Sequence, residues 1–309
     1  MPRFAVPELA LDDHGRHTFA SHFDGVGVPQ PAKSMDSPAS LPRMELACLD
    51  GRIGPADEAT IPVTDDGLLR GDGAFEVMRL YGGRPFALED HLARLAHSAE
   101  NLRLPVDVDA VRGDVEAILD AAPPEARDGC LRVLITRGGR RLLLTEPLPA
   151  ASPTIRLAPV TFAPTRILDG VKSLSYAGNM LATRIARERG AEEALLLTPH
   201  GRVLEAPTSS FFWVRSGELL TPPLSEHILA SITRARVLEE SGAREQECTL
   251  EDLRGAEEAF LASTTREVQP IAAIDEIELP GAPGPLTARA AAALRARIEA
   301  ELGARAAHG

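Results

Sequence analysis

Lysine is almost absent from this chain. It occurs twice, as Lys33 and Lys172, among 33 basic residues, and arginine fills every other basic position. The two side chains serve alike as solvated surface charge, but only an ε-amine can shed its proton and attack a carbonyl. Lys172, the one lysine outside the first forty residues, is therefore a candidate for Schiff-base chemistry, which points to pyridoxal phosphate (PLP) as cofactor. The count alone fits equally well an arginine-rich codon usage that spared one ordinary lysine, so the neighbourhood decides. In GVKSLSYAGNMLA, Lys172 follows a strand and precedes a helix. An amine there can sit partly desolvated with a lowered pKa.

Five further segments carry chemistry. Glu205 in GRVLEAPTSSFFWV ends a strand and is followed by small, hydroxylic residues. A carboxylate facing a pyridine nitrogen keeps that ring protonated and electron-withdrawing, although an isolated glutamate is more often a solvated strand end. Ser231, Ile232 and Thr233 in HILASITRARVLEE open a helix whose amides and hydroxyl make either a phosphate site or a plain N-cap. Ser263, Thr264 and Thr265 in FLASTTREVQPI end a strand and offer donors to an anion. Arg94 in HLARL either forks onto a phosphate or stands at the surface. Arg137, Arg140 and Arg141 in TRGGRR are candidates for a substrate carboxylate, or simply a solvated turn. Tyr176 either touches the cofactor or packs.

Composition removes several alternatives. With 309 residues, 44% hydrophobic and 25% charged, the chain suits a globular protein of one large or two medium domains. The net charge of −12 and the absence of a dense basic stripe argue against nucleic acid. No stretch approaches the ~20 apolar residues of a membrane span, and the first residues lack the pattern of an export signal. Cys48, Cys130 and Cys248 are too scattered for a disulfide framework and suggest a reducing cytoplasm. The histidines show no paired spacing, so no metal is expected.

These residues need elements to position them. Residues 1–43 lack periodicity and read as a disordered or loosely packed extension, with regular structure beginning at Met44. Hairpin turns are expected at Asp50-Gly51, Gly82-Gly83 and Ser216-Gly217. Leu88, Leu92, Leu95, Ala99 and Leu102, at steps of four and three, predict a helix, and a second helix spans about 107–121. CLRVLITR, TIRLAPVTF, EALLLTP, RVLEA, SFFWV, AEEAFLAS and VQPIAAI read as strands, and 176–189 and 286–302 as helices. Many short strands with few crossover helices predict an α+β fold and not one doubly wound sheet. The proline-rich stretch 146–153 is the best linker, dividing a small domain at 44–148 from a larger one at 149–309.

The order and spacing of these blocks resemble the class IV aminotransferases, the fold-type IV PLP enzymes. RGDGAFEVMRLYGGRPFALEDHLARLAHSAENLRLP, KSLSYAGNMLA, the stretch from EEALLLTP to SITR, and FLASTTREVQPI match the family's blocks from Met44 to the last helix. The resemblance implies a smaller N-terminal and a larger C-terminal domain with PLP between them, usually in a homodimer. It implies that Lys172 carries the cofactor as an internal aldimine and shuttles the proton. Glu205 then pairs with the pyridinium nitrogen. Arg94, Ile232, Thr233 and Thr264 hold the phosphate, Leu229 packs on the ring, and Thr208 and Ser209 line the site. Phe75, Arg79, Arg140, Tyr176 and Thr265 form the candidate substrate-binding set. Two departures stand out: Ser210 replaces the family's frequent asparagine, and Phe75-Glu76-Val77-Met78-Arg79 lacks the glycine typical of branched-chain enzymes. The implied activity is transamination between a small amino acid, of branched-chain or D-amino acid type, and a 2-oxo acid. The alternative is 4-amino-4-deoxychorismate lyase, which forms p-aminobenzoate and pyruvate for folate synthesis.

Overall fold

The computed structural model describes residues 45–150 and 152–306; the extension expected over 1–43 lies outside them. The first half runs β1 (Leu46–Leu49), β2 (Arg52–Pro55), α1 (Asp66–Arg70), β3 (Gly73–Tyr81), β4 (Arg84–Pro85), α2 (Leu88–Leu102), α3 (Val108–Ala121), β5 (Gly129–Thr136) and β6 (Arg141–Pro147). The second runs β7 (Ile155–Thr161), α4 (Ala177–Glu188), β8 (Glu193–Leu197), β9 (Ser210–Arg215), β10 (Glu218–Thr221), α5 (Ile232–Ser241), β11 (Arg244–Glu245), β12 (Glu258–Ser263), β13 (Glu267–Ile274), β14 (Ile277–Glu278) and α6 (Pro285–Ala306). Each half builds one sheet, giving the expected α+β architecture.

The first sheet has the order β2-β1-β6-β5-β3-β4 and is antiparallel throughout. Its tight hairpins follow from residues with positive φ: Asp50 (51°) with Gly51 (84°), and Gly82 (58°) with Gly83 (82°). α2 and α3 cover one face, where Leu92, Leu95, Val111, Val115 and Ile118 meet Met78, Leu131 and Val133. The opposite face carries Phe75, Val77 and Arg132, since side chains alternate along a strand and Val77 stands opposite Arg132.

The second sheet has the order β11-β10-β9-β12-β13-β7-β8, with β14 beside β13. Parallel pairing joins β13 to β7 and β7 to β8. α5 and α6 pack on one face around Phe212 and Phe260, whose rings stack 4.8 Å apart. Phe211 and Trp213 fill the other.

One expected strand does not form. Residues 202–206 make only isolated bridges. Leu204 and Leu196 do pair, but Val203 donates to the Cys248 carbonyl at 2.7 Å and Ala206 closes back on Ser209. Pro207 has no amide with which to extend a ladder. α1, β11 and β14 were not expected from the sequence.

Candidate active site

The segment 172–174 is sewn to the start of β3. The Phe75 amide donates to the Lys172 carbonyl at 3.0 Å, and the Leu174 amide to the Gly73 carbonyl at 2.9 Å. The buried Ser98 hydroxyl of α2 accepts from the Lys172 amide at 3.1 Å. This close approach needs a glycine at 73: a Cβ there would stand 2.3 Å from the Ile135 carbonyl oxygen and 2.5 Å from Leu174. The backbone of Lys172 is thus fixed by both a strand and a helix of the first half.

Its side chain enters a cavity of about 700 Å³. The amine lies 4.3 Å from the Phe75 ring centre and 5.9 Å from that of Tyr176. Burial pulls its pKa down from 10.5 to about 8; Glu76 opposes this more strongly than Glu205 does. Tyr176 stands edge-on to Phe75 at 5.3 Å, and its hydroxyl donates to the Pro207 carbonyl. Asn179 donates to the same carbonyl at 3.0 Å.

Glu205 sits in the same cavity, and among the described residues its carboxylate accepts one hydrogen bond, from the Leu229 amide at 3.1 Å. No ion pair to it forms among the described residues. Burial pushes its carboxyl up from 4.5 to about 7, against the pull of that amide and of Lys172. At the same cavity the hydroxyls of Ser209 and Ser210, 5% and 1% exposed, have no hydrogen-bond partner among the described residues. Unsatisfied buried hydroxyls are costly unless a ligand completes them.

Hydroxyl and cationic groups also meet at this cavity. Arg94, Ser231, Ser263, Thr264 and Thr265 line it, as do Thr208 and Leu229. Ser231 caps α5, its hydroxyl accepting from the Arg234 amide at 3.2 Å. Ile232 and Thr233 follow in the first turn, buried behind the lining, with their amides at the helix end where anions are favoured. Arg94 is held by Glu76 through two bonds of 2.7 Å and donates to the Ala230 carbonyl at 3.1 Å.

Two expected substrate residues lie elsewhere. Arg79 pairs with Glu267 at 2.7 Å and stacks on Tyr81, and Arg140 pairs with Asp50 at 2.7 Å. Neither lines the cavity. The other arginines of TRGGRR are also internal braces, Arg137 on Asp72 and Arg141 on Asp114. Sequence reasoning passed over Arg132, which does line the cavity, lies 5.8 Å from the Phe75 ring centre and is paired with Glu146. Its signal was an arginine inside the apolar strand CLRVLIT.

A half-buried amine, a half-buried carboxylate with no ion pair among the described residues, and a helix end of the kind that favours anions surround one cavity. The sequence pattern of the amino-transferase class IV family matches residues 73–274, and the chain belongs to that family. It is 32% identical over 276 residues to the D-alanine aminotransferase of Bacillus licheniformis, covering 82% of this chain and 96% of the relative. The branched-chain aminotransferase of Thermoproteus uzoniensis, solved with norvaline, matches with a TM-score of 0.73 at 29% identity, over 83% of this chain and 95% of that one. A hypothetical aminotransferase from Mycobacterium tuberculosis in its PLP-bound form matches with a TM-score of 0.76 at 25% identity, over 83% and 99%. The protein is a PLP-dependent transaminase of fold-type IV, and none of these likenesses favours the lyase reading.

Proposed function

We propose that the protein moves an amino group between a small amino acid, of branched-chain or D-amino acid type, and a 2-oxo acid, in two half-reactions at one PLP. One observation carries this reading: Lys172 and Glu205, a half-buried amine and a half-buried carboxylate with no cation paired to it among the described residues, share a cavity. The names of its relatives set the range of substrates, with D-alanine on one side and branched-chain amino acids on the other.

The residues fit the cofactor. Glu205 keeps acceptor capacity free for a protonated ring nitrogen, and the hydroxyls of Ser209 and Ser210 await partners. When bound, PLP supplies a carbonyl that condenses with amines and a ring that withdraws electrons from the substrate's Cα. Lys172 then holds the cofactor between turnovers and takes the proton from that Cα, a task suited to a base with a pKa near working pH. Arg94, the amides of Ile232 and Thr233, and Thr264 hold the phosphate. Leu229 packs on the ring, with Thr208 and Ser209 at its edge. Phe75, Tyr176 and Thr265 border the substrate. Arg132 takes over the carboxylate contact expected of Arg140.

The same reading extends to organisation. The linker between β6 and β7 divides domains at 44–148 and 149–309, in keeping with one sheet on each side. Val63, Leu68 and Leu69 are 76%, 58% and 58% exposed, an apolar surface that suits burial in a homodimer. Three unpaired, buried cysteines suit the cytoplasm, and among the described residues no helix is long and apolar enough to cross a membrane.

The visible spectrum of the PLP-loaded protein tests the reading. Addition of D-alanine, L-leucine, L-isoleucine or L-valine should convert the bound chromophore to its amino form, and 2-oxoglutarate or pyruvate should restore it. A spectrum unmoved by every amino acid, with pyruvate released from 4-amino-4-deoxychorismate, would establish the lyase instead.

A further inference from the structure

Glu76 is a carboxylate in an apolar place. It points from β3 toward α2, on the strand face that carries Ala74, Met78 and Leu80, and is 1% exposed. An apolar residue would pack there at lower desolvation cost. Its charge is instead fully partnered. Arg94 donates from Nε to Oε1 and from Nη2 to Oε2, both at 2.7 Å, and His91 Nδ1 meets Oε2 at 2.8 Å. His91 and Arg94 stand one turn apart on α2, on the same helix face.

This clamp fixes the plane of the Arg94 guanidinium and leaves Nη1 to face away from Glu76. Nη1 meets the Ala230 carbonyl, directly before the Ser231 cap of α5. The edge of Arg94 turned away from Glu76 therefore lies beside the start of α5, the helix end whose amides can bind an anion. We propose that Glu76 is a positioning residue for cofactor binding: it orients Arg94 so that one edge of its guanidinium meets the phosphate of PLP together with the α5 N-terminus. His91 is the second anchor of the same carboxylate. The inference rests on the reading that Arg94 holds the phosphate.

Charge and geometry predict opposite outcomes, which makes the role testable. A purely electrostatic view has Glu76 repelling the phosphate, so Glu76→Gln would tighten PLP. A positioning view has Glu76→Gln loosening it, since the amide cannot accept both donors of the fork. The decisive measurement is the PLP dissociation constant, from fluorescence titration of cofactor-free protein, for wild type, Glu76→Gln, Arg94→Ala and the double variant. Circular dichroism and thermal melts of the cofactor-free forms accompany it.

We expect Glu76→Gln to weaken PLP by ~10-fold or more, as loss of a supporting hydrogen-bond partner does elsewhere. In the Arg94→Ala background the same change should have little effect, because its target is gone. Glu76→Asp, which keeps the charge but shortens its reach, should weaken PLP in the same Arg94-dependent way and serves if Glu76→Gln does not fold. Unchanged or tighter PLP binding by a folded Glu76 variant overturns the proposal. So does an equal loss with and without Arg94. Wild-type affinity in Arg94→Ala would instead remove the phosphate role of Arg94 itself.

Discussion

Glu76, fully buried, and Glu205, half-buried, stand one in each half of the molecule, and their carboxyl groups move in opposite directions. Burial raises the pKa of both. At Glu76 the fork of Arg94 and the bond from His91 overcome that rise and hold the group at about 2. At Glu205 one backbone amide does not, and the group rests at about 7. Measured from 4.5, each displacement corresponds to roughly 3 kcal/mol. Glu76 adds that amount to stability above about pH 4.5 and loses it as pH falls toward 2. Glu205 subtracts it as pH rises from 4.5 through 7. The first half supplies its own counter-charge, and the second leaves a charge for a ligand to complete. A site built this way gives up stability in the empty protein and recovers it on binding.

Breaking the comparison at its centre gives the largest effect. Lys172→Ala removes the amine that both glutamates influence, and kcat/KM for transamination should fall by ~10⁴-fold or more. Turnover at the wild-type rate, measured with the best donor found in the spectral titration, would end the assignment of Lys172 as the catalytic base.

Glu205→Gln sharpens the contrast because two readouts should move in opposite directions. Activity should fall by ~100-fold, since the amide cannot keep the ring nitrogen protonated. The cofactor-free protein, meanwhile, should become more stable by up to ~3 kcal/mol at pH 8. Near pH 3, wild-type Glu205 carries its proton in both folded and unfolded states, so that gain should vanish. Urea denaturation at the two pH values measures it. A loss of stability at pH 8 would mean that the Glu205 carboxylate has a partner in the empty protein.

What the sequence made legible were features set by neighbours in the chain. Asp50-Gly51 and Gly82-Gly83 turn where positive φ is required, and the leucines of α2 repeat at the helical period. Ser231 caps α5 as its type and position suggested. Features decided at long range were hidden. Arg140 and Arg79 looked available for substrate, but Asp50 and Glu267 claim them from distant segments. Arg132 reaches the cavity because β5 lies in register with β3, which composition does not reveal. The five residues of α1 expose Leu68 and Leu69, so no apolar period announced a helix. Glu76 could be read in the first motif, but its task depends on where His91 and Arg94 fall once α2 packs on β3.

The smallest effect asks on which side of the comparison Ser231 belongs. Its hydroxyl accepts from the Arg234 amide, the ordinary work of an N-cap, and the same residue lines the cavity. Removal of such a cap costs ~1 kcal/mol, or about 2–4 °C of melting temperature for a protein of this size. If Ser231 only caps α5, Ser231→Ala should lower the melting temperature equally with and without PLP and leave cofactor affinity unchanged. If the hydroxyl also donates to the phosphate, the loss should be larger in the loaded protein, because one bond to a charged group disappears with the cap. The hydroxyl can accept from Arg234 and donate to an anion at once, having one proton and two lone pairs. The larger loss in the PLP-loaded form is therefore the expected result, and equal losses would place Ser231 with the self-sufficient contacts of the scaffold.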